Sequence, residues 1–369
     1  MPWFEIPSER ARILYQETRS VRKLPVNFCE ADIDLFGHEF DVRIPATRLL
    51  ELNQANISPN GIIFKGGRVL AESFNYRHEF IRWANSRKLI RFFVRNYAFR
   101  KKQRLDGEGF WIIDNWENAY FHWLLDALPR LYTVRGQLTG STLLLLESFR
   151  TAPYILPSLA PFGIGSIRFI GHNEVLRCRK LLVPSHTAPS GNYNEEIVRG
   201  LRQLYSDYYG WISGDSPDKL YISRRNATKR KIINESEVIE AVREHGFTVV
   251  CLEDYRFEDQ VNMMFNARQV VSNHGAGLAN MLFLPEKSCV LELRKFRDNH
   301  CNCYFALASA LNLKYYYQLC HAANPTEDVG TANIYVDLEQ FRKNLGIMLA
   351  SAETGAAAMR EQIDLNGIR

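Results

Sequence analysis

Residues 270–278 read Val-Val-Ser-Asn-His-Gly-Ala-Gly-Leu. A β-branched run ends in small polar residues and opens into an apolar stretch, 279–283. The pattern predicts a strand, a tight turn and a helix. Gly275 and Gly277 let the backbone close on a ligand. A helix N-terminus also turns unpaired N–H groups and a partial positive charge towards an anion. Such a turn suits phosphate. It also serves as a plain strand-to-helix connection, and short glycine motifs match by chance, so its meaning depends on what surrounds it.

Around that turn the second half of the chain alternates regularly. Strands are predicted at 220–223, 248–252, 269–272, 289–293 and 314–318. Helices are predicted at 235–245, 257–267, 277–283 and 301–311. A βαβ series of this kind builds a doubly wound parallel sheet. Beyond it, Leu338, Phe341, Leu345 and Leu349 fall on one helical stripe over 336–349, with Asp337 and Gln340 spaced as a capping box. This helix should pack on a domain surface, and the Ala- and Gly-rich end after it should fray.

The first half is less regular. Residues 1–60 show no clear period, and short β-like runs follow at 61–65 and 91–94. From Phe110 the pattern sharpens. Strands are predicted at 110–114, 142–146, 167–170 and 180–183, and a helix at 118–135 that Pro129 should bend or break. The loop-like stretch 184–191 (Pro-Ser-His-Thr-Ala-Pro-Ser-Gly) is a candidate boundary, followed by a helix at 194–209 and a linker at 212–219. We therefore expect one α/β domain at 1–190, a second α/β domain at 215–335, and a helix with tail at 336–369.

Bulk properties narrow the classes. At 369 residues two domains are the default. The formal net charge of +5 suits an anionic ligand or peripheral contact with an anionic membrane, without requiring nucleic acid. No nucleic-acid motif or domain-wide basic excess is present. No apolar run is long enough for a membrane span, and residues 1–10 lack the apolar core of a signal peptide. Seven cysteines at irregular spacing read as reduced thiols and a cytoplasmic setting, which includes the inner face of the cell membrane.

Ligands of open α/β sheets sit at the carboxyl ends of the strands. Three motifs fall there. Ser223, Arg224 and Arg225 end one strand, with Lys229, Arg230 and Lys231 close behind, and arginine forks match phosphate oxygens. His274, Gly275, Ala276 and Gly277 form the quoted turn. Glu292, near another strand end, could accept ribose hydroxyls, and Arg294 follows it. Together they suggest a nucleoside diphosphate. In the first half, His122 and Asp126 stand four apart and share a helical face, so the carboxylate can orient a basic imidazole. The same spacing serves a buried histidine tied to a structural aspartate. His300, Cys301, Cys303, Cys320 and His321 resemble metal ligands. Yet Cys-x-Cys is atypical for zinc, and on a helix Cys301 and Cys303 would point apart, so they read as structural thiols. No acidic pair ends a strand to seat Mg²⁺ or Mn²⁺. No metal or resident cofactor is expected.

The run Asn118-Ala119-Tyr120-Phe121-His122-Trp123-Leu124-Leu125-Asp126-Ala127-Leu128-Pro129-Arg130-Leu131 resembles the signature of glycosyltransferase family 61. So does Tyr221-Ile222-Ser223-Arg224-Arg225 with Arg230, Lys231, Ile232, Asn234 and Glu235, and so does His274-Gly275-Ala276-Gly277-Leu278-Ala279-Asn280 with Phe283, Pro285 and Glu292. The likeness covers about 105–320 in order and spacing. One departure is Ala279 where the family commonly has threonine. The resemblance implies a GT-B fold, two Rossmann-like domains facing a cleft. It implies an inverting, metal-independent transferase that uses a nucleotide-sugar donor and a glycan or lipid-linked acceptor. Bacterial members of this kind serve capsular or exopolysaccharide synthesis. His122 or Asp126 would be the base, and Arg224, Arg225 and the turn after His274 would stabilise the leaving diphosphate. The alternative is a GT-B-like shell that binds a nucleotide or glycan without turnover.

Overall fold

A computed structural model describes residues 4–7, 11–116, 119–210, 216–298, 301–324, 326–328 and 330–351. Contacts divide the chain into two units, Met1–Arg19 with Arg43–Leu201, and Ser20–Val42 with Arg202–Arg369. Both are α/β.

The first unit is built on one eight-stranded sheet. Its parallel half runs, in spatial order, Glu174–Pro184, Lys101–Phe110, Thr142–Leu146 and Ser166–Ile170. Its other half is antiparallel. Thr47–Ile57 pairs with Glu174–Pro184 and with Ala11–Tyr15, and Ile63–Lys65 and Arg68–Val69 extend the edge. Gln54 sits at φ 57° in the middle of Thr47–Ile57 and disturbs the two-residue alternation that would have betrayed this strand.

Three expectations change here. The β-like run 91–94 lies inside a helix, Arg87–Ala98, which buries Leu89, Phe92 and Asn96 and is capped by Ser86 Oγ accepting from Lys88 N–H at 3.2 Å. Four residues are too few to tell a helical period from a strand. The strand placed at 110–114 is paired earlier, over Lys101–Phe110, after which Trp111, Ile112 and Ile113 continue as fully buried chain. The helix expected at 118–135, whose first residue lies outside the described ones, is interrupted. It runs Tyr120–His122, then a wide π-turn over Trp123–Ala127, then Leu128–Thr133. Leu128 N–H reaches back to Trp123 O, one residue further than in an α-helix. The cause is Pro129, whose ring would strike the carbonyl one turn earlier. Widening the turn relieves that clash without breaking the helix.

The second unit holds a six-stranded sheet ordered Thr248–Val250, Lys219–Ile222, Gln269–Asn273, Cys289–Lys295, Lys314–Ala322 and Ile334–Tyr335. The first five are parallel and the last is antiparallel. In chain order the parallel strands lie 2-1-3-4-5. The order therefore reverses between Lys219–Ile222 and Gln269–Asn273, the crevice where such sheets bind ligands. The helix 338–351 docks on this sheet, with Phe341, Leu345 and Met348 in one core with Val271 and Leu291 while Leu338 and Leu349 are partly buried. Asp337 Oδ1 accepts from Gln340 N–H at 2.9 Å, the first half of the capping box. The amide nitrogen of Gln340 reaches forward and donates to Asn344 Oδ1 at 3.3 Å. Most of the tail expected to fray lies outside the described residues, as do positions 211–215 of the expected linker.

The segment Ser20–Val42 belongs wholly to this second unit. Asn27 Nδ2 donates to Tyr317 O at 2.8 Å, and Asn302 Nδ2 to Leu35 O at 2.8 Å. Phe36, fully buried, packs edge-on against Phe305 and Tyr317.

Candidate functional site

At the crevice of the second unit the strand Lys219–Ile222 runs into Ser223, Arg224 and Arg225. Ser223 is a turn former: its hydroxyl donates to Glu235 Oε1 at 2.8 Å and accepts Arg225 N–H at 3.2 Å. Arg224 lies flat against Gly275. A Cβ at position 275 would fall 1.9 Å from Arg224 Nη1 and 2.4 Å from Cζ. Gly275 has φ 170°, extended backbone that any residue adopts, so glycine is needed here for the guanidinium alone. Arg224 donates to Arg230 O at 3.2 Å and Lys229 O at 3.3 Å. Arg230 stands at φ 56°, held by Thr331 O, and its buried Nε meets no hydrogen-bond partner among the described residues. Burial, and then the neighbouring Arg230 charge, lower the pKa of Arg224. Arg225 is different. Its side chain is 62% exposed and pairs with Asp254 Oδ2 at 3.2 Å.

The next strand, Gln269–Asn273, delivers His274. Beyond Gly275 a tight 3-10 helix spans Ala276–Phe283. Leu278 N–H already bonds Gly275 O at 2.9 Å, so the N–H groups left without an intrahelical acceptor at its start are those of Ala276 and Gly277. Gly277 packs the helix on the sheet, since a Cβ there would meet Ile222 Cγ2 at 3.3 Å. His274 Nδ1 bonds to Glu292 Oε1, and Tyr315 O–H donates to Glu292 Oε2. Burial works against the charge on His274. The Glu292 carboxylate and the Cys301 thiol nevertheless raise its pKa to about 9. Burial likewise opposes the charge on Glu292, and His274, Arg294 and Tyr315 override it to hold the carboxyl below its usual range. At neutral pH the pair is imidazolium and carboxylate.

Two sequence expectations are revised by these surroundings. Glu292, expected to face a ribose, is 0% exposed and committed to His274 and Tyr315. Arg294 is equally buried, and its guanidinium ties Asn302 Oδ1, Asp298 O and Cys301 O at 2.8–3.0 Å. Glu292 holds His274 at the turn, and Arg294 ties Asp298, Cys301 and Asn302. The cations around the turn include Arg224, Arg225, Arg230 and His274, with Lys231 Nζ donating to Arg225 O at 2.9 Å.

The thiols also differ from expectation. The helix starts at Cys303, as Cys303–Ala310, so Cys301 precedes it and the two sulfurs converge at 3.4 Å instead of pointing apart. Among the described residues, His274, Cys301 and Cys303 form the one group whose donor atoms, within 4.8 Å of one another, could hold a metal ion. His300 lies outside the described residues, and Cys320 and His321 do not join this group. The Cys303 hydrogen bond, against burial and with help from His274, draws the Cys301 thiol down to about 4. All seven cysteines are free.

In the first unit the π-turn sets His122 and Asp126 side by side, with His122 Nδ1 to Asp126 Oδ2 at 2.6 Å. Ser190 Oγ donates to the same carboxylate oxygen at 2.9 Å. Trp116 and Phe121 stand edge-on to the imidazole at ring separations of 5.0 Å. A second pair lies beyond the neighbouring strand ends. His186 Nε2 meets Asp114 Oδ2 at 2.7 Å, while Asn75 Nδ2 and Trp116 N–H also donate to this buried carboxylate. Asp114, His186 and Ser190 were missed from sequence. The signal was available: each follows a buried strand, Asp114 after the apolar run from Phe110 and His186 after Val183, inside a stretch read only as a boundary.

The first unit thus holds two imidazole–carboxylate pairs, and the second holds arginines crowded at a glycine turn. The proteins this chain resembles are glycosyltransferases. Residues 120–291 match the family model described as Glycosyltransferase 61. The EGF domain-specific O-linked N-acetylglucosamine transferase of Canis lupus familiaris is 31% identical over 106 residues, 27% of this chain and 20% of that protein. Its Drosophila melanogaster counterpart is 35% identical over 98 residues, 26% of this chain and 18% of that one. A beta-1,2-xylosyltransferase of Oryza sativa subsp. japonica is 26% identical over 205 residues, 49% of this chain and 36% of that protein. The chain thus spans about a fifth of the length of the first curated relatives it matches. Among the described residues no helix is long and apolar enough to cross a membrane.

Proposed function

We propose that the chain transfers a sugar from a nucleotide-sugar donor to a hydroxyl of a glycan or lipid-linked acceptor. The transfer inverts the anomeric centre, needs no metal, and uses a GT-B arrangement in which the second unit holds the donor and the first supplies the base. Polysaccharide biosynthesis of the capsular or exopolysaccharide kind, on the cytoplasmic side, is the setting we favour. The names of the relatives bring N-acetylglucosamine and xylose forward as candidate sugars. The observation that carries the reading is that one matched segment, 120–291, holds both the His122–Asp126 pair and the Arg224–Gly275 turn.

Asp126 keeps the proton of His122 on Nδ1 and leaves Nε2 as the base. Nε2 takes the acceptor hydroxyl proton as that oxygen bonds to the anomeric carbon. The bond from that carbon to the diphosphate breaks on the opposite face, and the leaving charge meets Arg224, Arg225, Arg230 and the N–H groups of Ala276 and Gly277. Glu292 acts through His274 by keeping it protonated beside that charge.

The test is transfer by purified protein. His122→Ala should lower turnover by roughly 10²–10⁴ and leave nucleotide affinity intact, and Asp126→Asn should follow it. A folded His122→Ala protein with normal turnover removes His122 as base and turns attention to His186. Donor binding without transfer or hydrolysis by the unaltered protein would favour the binding-protein alternative.

A further inference from the structure

The helix Arg87–Ala98 has a side largely left to solvent, although Tyr97 on it leans on Phe64 at a ring separation of 5.4 Å. Its inward residues, Leu89, Phe92 and Asn96, are buried. On the solvent side Ile90, Val94 and Tyr97 recur at i, i+4 and i+7 and form a stripe, and Phe99 follows directly after. Ile90 is 69% exposed and Phe99 74%. Large apolar side chains this bare, in line on one helix, are unusual for a surface that meets only water.

Beside the apolar stripe runs a basic one. Arg87, Lys88, Arg91 and Arg95 fall on the adjoining exposed arc of the same helix. Between residues 77 and 102 the sequence holds nine Arg or Lys against a single carboxylate, Glu79. Among the described residues, Lys88, Arg91 and Arg95 have no ion-pair partner. On the shoulder of the helix, Lys88, Arg91, Arg95 and Arg100 line a cavity of about 300 Å³, with Asn96 and Trp83 in its wall. Arg100 is crowded enough that burial, and then Arg95, lower its pKa.

A protein partner could cover the apolar stripe alone. Uncompensated cations ranged along it, with a cationic cup at their side, match a planar sheet of anionic headgroups above hydrocarbon. That is the pattern of a helix lying in a membrane interface, its apolar edge dipped below the headgroups and its cations at phosphate level. We propose that Arg87–Ala98 with Phe99 and Arg100 docks this protein on an anionic lipid surface, and that the cavity takes one lipid headgroup phosphate. The proposal rests on this face alone and stands apart from the sugar-transfer reading.

Co-sedimentation of the full chain tests it, using vesicles of phosphatidylcholine alone and of equal phosphatidylcholine and phosphatidylglycerol. Binding should require phosphatidylglycerol and weaken as salt rises. Arg87→Glu, Arg91→Glu and Arg95→Glu together should reduce vesicle affinity at least 10²-fold, since each lost cation costs about fivefold. Ile90→Ser, Val94→Ser and Phe99→Ser together should reduce it comparably while leaving every charge in place. Circular dichroism and thermal unfolding should be unchanged in both variants and establish that they fold. Failure of the unaltered protein to bind anionic vesicles at low salt overturns the proposal. So does vesicle binding that survives both triple variants, or a helix-dependent self-association that leaves the protein unable to bind vesicles. None of these outcomes bears on glycosyl transfer.

Discussion

The contact between Gly275 and Arg224 allows a sharp test of the donor site. In Gly275→Ala a single methyl would lie 1.9 Å from Arg224 Nη1 and 2.4 Å from Cζ, so the guanidinium must leave its place. It can do so cheaply, because the clashing atoms are the far end of a flexible side chain and the backbone at 275, with φ 170°, accepts alanine without strain. Stability should therefore change by less than about 1 kcal/mol. Donor affinity should not be spared. A displaced arginine takes with it a hydrogen bond to a charged phosphate, worth about 1.5–3 kcal/mol, or roughly a 10- to 150-fold rise in Kd. Titration calorimetry with UDP, GDP and CMP measures this for whichever nucleotide binds. Arg224→Ala should cost a similar amount, and the double variant should cost no more than either single change, because both remove the same contact. Normal nucleotide affinity in Gly275→Ala, or additive losses in the double variant, would refute the placement of Arg224 on the diphosphate.

The His274–Glu292 pair carries a pH signature. A histidine raised from 6.5 to about 9 contributes about 3 kcal/mol at 1.36 kcal/mol per pKa unit. This contribution is full below pH 6.5 and is lost as pH climbs through 9. Denaturant unfolding at several pH values should show that decline in the unaltered protein and not in Glu292→Gln, and equal slopes in the two would contradict the pairing. Transfer should survive EDTA, since the candidate leaving-group stabilisers are arginines and backbone N–H groups. Loss of activity that Mn²⁺ or Mg²⁺ restores would reassign that role. Leu345→Ala, emptying a fully buried site under the helix 338–351, should cost about 2–5 kcal/mol in thermal or chemical unfolding, and a cost near zero would mean the helix is not docked.

The second unit was legible because its parallel strands are buried on both faces and read as unbroken apolar runs such as Val270-Val271 and Val290-Leu291. The first unit hid its sheet. Lys101–Phe110 is buried only at its end and reads as a polar, glycine-containing stretch. Most of the antiparallel half came from residues 1–60, where no period was clear, although the β-like run 61–65 does hold the strand Ile63–Lys65. In the site, His122 and Asp126 were visible because a local spacing joins them. Asp114 and His186 are 72 residues apart, and only the neighbouring strands bring them together. Cys301 and Cys303 were misjudged over a helix start displaced by two residues, enough to turn diverging thiols into touching ones.

The placement of Ser20–Val42 in the second unit governs how the protein can be made. Asn27 and Tyr317, which bond to each other, are separated by 290 residues. On the ribosome the pieces that receive Leu35 and Phe36 do not exist until most of the chain has been synthesised. Those early residues must wait, apolar side chains uncovered, while the first unit forms around them in sequence. A fragment beginning at residue 202 would likewise lack the stretch that covers Phe305 and Tyr317 and would present those rings to water. The two units are separable as structures, yet no single cut in the chain, and no single pause in its translation, separates them.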